Sequence, residues 1–365
     1  MYTRFARFFA VGVLIPAPLT ALAAPDFDAG SDGSYGSLFV GASTSLEVPL
    51  PADGVIHATD VVVEAGGTLT FTPNANNTPV YLLSQGDIDI QGTIDVSGLE
   101  PTGTSGGIGG PGGFAGGVAS PYQPGRRPSA LNHDGNLLHL TGGLGGSGNN
   151  SFGSPRCGGG GGGGAILLAS DTRITLDGTV AADGAQGTCP QTTQYSGGPG
   201  TPGSIRFVAP AVVGSGSLSL GGSGSATYVR IDSLHSEAGN WSVVGASTNV
   251  SLSEGQTMVA RLPTVPAARI VSVGGQAVAQ ETGPVSVTIP GGSSRTQDVV
   301  IDVTGFGPAG TVQVRLEQQL SGGGAGVNTV RTATADLDLS TGTQVTIPVT
   351  FEPLTATWLD VVVRP

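Results

Sequence analysis

Three stretches of this 365-residue chain, residues 80–98, 166–184 and more loosely 204–222, repeat one short pattern, and that repeat limits what the chain can fold into. Each holds three brief apolar alternations separated by one or two turn residues, which is how a chain winds three strands into one rung of a parallel β-helix. In the first copy Ile88, Ile90, Ile94 and Val96 are expected to point inward, with Asp87, Asp89 and Asp95 outward. In the second, Ile174, Leu176, Val180 and Ala182 take the inward places. Gly92, Gly178 and Gly216 fall at one corner, where a tight turn calls for a residue without a Cβ. Residues 37–50 and 59–73 read as degenerate earlier rungs, so the repeat is expected to start near Gly36.

Two long excursions interrupt the rungs, at about residues 99–164 and 185–203. The first has the glycine tract Gly106 to Gly117 at one end and seven successive glycines, Gly158 to Gly164, at the other. A loop this long is normally functional or disordered. Glycine tracts also pack as extended, left-handed threefold strands bonded to one another, which would make the excursion an ordered layer on the rungs. The sequence leaves the two open.

The start of the chain reads as a secretory leader over residues 1–23, with Arg4 and Arg7, an apolar run from Phe8 to Leu22, and Ala21 and Ala23 at the cleavage positions. The expected destination is secreted or cell-surface, or periplasmic, without membrane insertion. Only 11% of residues are charged and none is lysine, while 63 are glycine, a composition of extracellular repeat proteins that excludes Schiff-base and P-loop chemistry. The net charge of -12 argues against nucleic acid as a partner. Cys157 and Cys189 flank the second rung; for an exported chain a disulfide between them is expected, stabilising by roughly 3 kcal/mol, with metal ligation and a reactive thiol as the alternatives.

The rungs are expected to end near Leu262, giving a β-helix over 24–262. Pro263 and Pro266 mark a linker, and residues 263–365 carry short strand-like runs at 269–273, 285–289, 299–303, 311–316, 329–339, 344–351 and 358–363. Glycine and proline punctuation between them predicts an immunoglobulin-like β-sandwich. The predicted class is therefore all-β: a short right-handed parallel β-helix with long glycine-rich loop insertions, followed by an immunoglobulin-like β-sandwich.

On Asp32-Gly-Ser, Thr78-Pro-Val-Tyr-Leu-Leu, the glycine run with Ala165-Ile-Leu-Leu-Ala-Ser170, and Pro202-Gly-Ser-Ile-Arg-Phe-Val-Ala-Pro210, the chain resembles a group of glycine-rich secreted bacterial β-solenoid proteins with a C-terminal immunoglobulin-like module. The resemblance implies architecture and export, and supplies no catalytic residue.

For chemistry, β-helix enzymes that act on polysaccharides need clustered carboxylates, but the two clear repeats align Asp87 with Arg173 and Asp95 with Ala181, so the acids do not stack. The densest segment is Arg126 to His139, with Arg126, Arg127, His133, Asp134 and His139. Asp95, His133, Asp134 and Arg126 are the catalytic candidates, and Tyr122, Arg126, Arg127 and Tyr195 the binding candidates. The spacing of His133 and His139 matches no metal signature, and Asp26 to Gly33 lacks the glycine and the final acid of a calcium loop. No metal or cofactor is expected. Thr68, Thr70 and Thr72 alternate in one rung with no counterpart seen at matching places in the next, which argues against a threonine-ladder face for ice or a crystal. The expected role is an exported, non-catalytic structural, adhesive or surface-display protein whose partners are polysaccharide or matrix components, with self-association through an open sheet edge allowed. The alternative is a carbohydrate-active β-helix protein: a polysaccharide lyase, hydrolase or binding module.

Overall fold

The computed structural model describes residues 27–119, 137, 140–149, 157–188, 197–223, 227–245, 250–260, 267–278, 287–290, 292–305, 310–320, 329–352 and 357–364. Over these the chain is all-β, with a single 3-10 turn at Ala238–Asn240. Its larger part is a curled parallel sheet of eleven strands beside a second parallel sheet of six, among the described residues. Successive copies of the repeat lie in register: Val80–Ser84 pairs Ala165–Ser170, which pairs Ser204–Val208 and then Thr227–Asp232. The long strand Val55–Val63 curls the first sheet, because residues 55–58 pair with Val80–Ser84 and residues 61–63 with Ile88–Ile90. The first strand is Gly36–Val40, where the repeat was expected to begin.

The alternation decides which side is buried. Ile88, Ile90, Ile94, Ile174, Leu176, Val180 and Ala182 are wholly buried, Val96 almost so, and all belong to one apolar core shared by both sheets. Each such aliphatic side chain stabilises by about 1.5–3 kcal/mol. The corner glycines also stand in a column, for a reason more specific than turn geometry: a Cβ at Gly92, Gly178 or Gly216 would overlap a backbone oxygen of the preceding repeat, at Gly67, Gly92 and Gly178 respectively.

Next to those glycines the structure corrects the reading of the threonines. Ser45, Thr68, Thr93, Thr179, Ser217 and Ser242 stand in one register column across all six strands of the second sheet. Thr179 and Ser217 bond through their hydroxyls at 2.8 Å, the kind of cross-strand pair that stabilises a sheet. The adjacent column, Glu47, Thr70, Asp95, Ala181, Ser219 and Val244, is mixed.

The outer face of the first sheet is apolar as well, and a second core forms there from Tyr81, Leu83, Leu167 and Val208. Residues 27–29, 137, 140 and 258–260 cover it.

The described residues from 267 onward form two antiparallel sheets that share an apolar core built from Val299, Ile301, Val303, Ile347 and Val349 on one side and Val312, Val314, Leu316 and Leu337 on the other. Six of the expected strands are present. Residues 287–289 of the remaining run, 285–289, are not a strand, and residues 285–286 lie outside the described set.

Candidate functional site

Both excursions leave the second sheet and re-enter the first at one corner, after Thr93–Asp95 and Thr179–Ala181 and before Ala165–Ser170 and Ser204–Val208. There the glycine tracts are ordered. The seven-glycine run is the centre of a bundle, and its amides donate in three directions in turn: Gly160 and Gly163 to the carbonyls of Gly198 and Thr201, Gly161 and Gly164 to those of Leu99 and Val96, and Gly159 and Gly162 to those of Gly117 and Phe114. A repeat of three residues is the polyproline II helix. Its carbonyls accept in the same manner, Gly159 from Gly107, Gly160 from Gly146 and Gly161 from Ala185, each at 2.8 Å.

Six segments therefore surround the central one: 96–100, 106–110, 113–118, 142–148, 182–187 and 197–203. They also bond to one another around a closed ring, through Leu99 to Ile108, Gly116 to Gly107, Phe114 to Gly143, Thr201 to Leu144, Gly200 to Ala185 and Gly98 to Asp183, donor first. Six neighbours at backbone-contact distance leave no room for a side chain on the axis. A Cβ at any position from 158 to 164 would overlap backbone atoms of a neighbour. In the outer segments a Cβ at Gly142, Gly143, Gly145 or Gly146 would overlap backbone of a neighbouring outer segment, whereas Thr141, Leu144 and Ser147, three residues apart, and Ile108 and Phe114, six apart, are at least partly exposed.

The bundle has an inner end, where the turn at residues 110–113 is fixed on Asn77, which accepts from Gly112 N and donates to Gly113 O. Its outer end collects the turn 101–105, Ala119, Asn149, Cys157 and Thr188. Gly158 N donates to Gly103 O, Ala119 N to Thr104 O and Asn149 N to Cys157 O. Cys157 is fully buried, with its sulfur 3.3 Å from the carbonyl oxygen of Gly187. No cysteine is free among the described residues.

Of the sequence candidates, Asp95 is placed and lies on the second sheet, its carboxylate accepting from Ser97 N at 2.8 Å between Thr70 and Ala181 in its column. That is a turn-capping role. Arg126, Arg127, His133, Asp134, His139, Tyr122, Tyr195 and Cys189 lie outside the described residues. Asp87 meets Arg173 at 2.8 Å, as the aligned repeats imply. Burial pushes the Asp171 carboxyl above its ordinary value; the bond it accepts from Ala29 N opposes this and neighbouring Asp28 adds to it. Among the described residues no group of three or more His, Cys, Asp and Glu side chains is placed to hold a metal ion, and no helix is long and apolar enough to cross a membrane.

Sequence reasoning missed one charged cluster, Arg206, Arg230 and Asp232, on the outer face of the first sheet. Its signal was the equal offset of Arg206 and Arg230 in successive repeats, which puts them side by side in register. No protein-family model matches the chain, and no curated protein or solved structure matches it.

Proposed function

We infer that the chain is an exported, non-catalytic adhesive or display protein. In this reading the curled parallel sheet is a short right-handed β-helix, the antiparallel part an immunoglobulin-like module, and the glycine bundle a stiff stalk. One observation carries it: the six-around-one bundle gathers residues 119, 149, 157, 188 and 197, where the chain leaves or rejoins it, at a single outer end. A frame whose backbone groups are bonded to one another holds those ends with little motion, and rigid presentation lowers the entropic cost of binding. Cys157 and Cys189 form a disulfide across this end in the proposal, tying the central segment to its neighbour.

The surfaces assigned to binding are the segments that leave this end, with Tyr122, Arg126, Arg127 and Tyr195 supplying rings and guanidinium groups for sugar faces and their acidic substituents. The ligand class is polysaccharide or matrix glycan. The test is retention of the protein on immobilised acidic and neutral polysaccharides, comparing Tyr122→Ala, Arg126→Ala and Tyr195→Ala with Phe39→Ala, an exposed ring at the far end of the sheet. Loss of retention in the first group alone supports the reading; loss in Phe39→Ala alone places binding elsewhere and refutes it.

A further inference from the structure

Asp232 is wholly buried on the outer, not the core-facing, side of the first sheet. Arg206 and Arg230 stand next to each other in register on adjacent strands, an arrangement that repels unless an anion lies between them. Asp232 supplies it. One carboxylate oxygen accepts from Arg206 Nε and Nη2 at 3.2 and 2.9 Å, the other from Arg230 Nε and Nη2 at 3.1 and 2.8 Å.

The same group reaches beyond the sheet. Thr257 N donates to Asp232 at 2.9 Å and Arg206 Nη2 donates to Thr257 O at 3.0 Å, so one residue of the departing chain is held at both its amide and its carbonyl. From there the chain turns back along the sheet, with Ala260 buried in the cluster that contains Tyr81, Leu83 and Leu167. It then enters the antiparallel sheets, whose Arg269 lies 3.3 Å from Asn76 in an early repeat. Among the described residues, the apolar core of the antiparallel sheets has no member in either core of the parallel part. Parts joined by so little apolar surface move relative to one another unless something else restrains them.

We propose that the Arg206–Asp232–Arg230 cluster is a clamp that straps residues 255–260 to the parallel sheet and so fixes where the antiparallel part is held. Asp232 acts through the strap as a positioning residue, and this assignment is independent of what the bundle binds. Loss of the clamp leaves both parts folded and frees the joint between them.

The experiment is limited proteolysis of the full chain with a protease of broad specificity, with cut sites identified by mass and maximum dimension followed by small-angle scattering. Wild type resists cutting within residues 256–260. Because removing one partner of a buried ion cluster strands the others, Asp232→Asn speeds cutting there on the order of a hundredfold and lengthens the particle. Thr257→Pro removes the N–H that Asp232 accepts, together with the hydroxyl, and fixes φ there, while keeping the three charged side chains; it speeds cutting on the order of tenfold. Circular dichroism reports the parallel sheet in each variant, and if Asp232→Asn unfolds it, Thr257→Pro decides. Wild type cut readily in the strap, a rate within about twofold of wild type in Thr257→Pro, or faster cutting spread over the whole chain each overturns the proposal.

Discussion

Replacing Gly161 by alanine isolates the physics of the bundle in one methyl group. The added Cβ would overlap the carbonyl oxygen of Ile108, a backbone atom held in the ring by its bond from Leu99 N. Forcing such a group into a packed interior costs about 1–3 kcal/mol. The displacement also strains the bonds Gly161 N to Leu99 O at 3.0 Å and Ala185 N to Gly161 O at 2.8 Å, worth about 1 kcal/mol each. Alanine stiffens the unfolded chain and returns about 0.4–1 kcal/mol. The expected net loss is about 2–4.5 kcal/mol. Gly239→Ala is the control, because a Cβ there meets nothing within 4 Å; its expected change is within about 0.5 kcal/mol. Denaturant unfolding gives the stabilities, and amide exchange across residues 158–164 localises the loss. Equal midpoints for the two variants, with central amides still protected, would refute the six-around-one arrangement.

Asp171→Asn is expected to raise stability at pH 7 by under about 1 kcal/mol, since its carboxyl is raised above the ordinary 3.8 chiefly by burial. The native state holds that proton more tightly than the unfolded chain, so the group's contribution is fully present below the unfolded value and lost as pH rises through the folded one. The gain should vanish on thermal scans below about pH 4. Ile94→Ala, at a wholly buried position, should cost about 2–5 kcal/mol in denaturant unfolding. Arg173→Ala removes a pair whose side chains are 53% and 47% exposed, and should cost at most about 1 kcal/mol, less in high salt. Cys157→Ser, Cys189→Ser and the double variant should each lose the same amount, about 3 kcal/mol; additive losses would deny the disulfide.

The parallel sheets were legible because inward aliphatics alternate with outward polar residues through residues 88–96 and 174–182, and a one-residue slip would expose all of them. The column of hydroxyls was equally present in the sequence, but its mark was the dipeptide at the corner rather than alternation within one strand: Gly67-Thr68, Gly92-Thr93, Gly178-Thr179 and Gly216-Ser217. Order in the glycine tracts was not decidable locally. Gly161 finds its donor and acceptor at residues 185 and 99, and what a glycine run bonds to depends on how distant segments meet. The glycine-glycine-X spacing of Ile108, Pro111 and Phe114 and of Thr141, Leu144 and Ser147 was the available sign of a threefold strand. Arg206 escaped attention because a charged residue amid Ile205 and Phe207 reads as solvent-facing, whereas the strap over it makes that face interior.

The most direct test of the account incubates the purified chain with acidic and neutral polysaccharides and follows polymer length and protein retention together. The account predicts retention without shortening, lost in Arg126→Ala and unchanged in Asp95→Asn. Polymer shortening that disappears in Asp95→Asn would contradict it and make the parallel sheet an enzyme's scaffold.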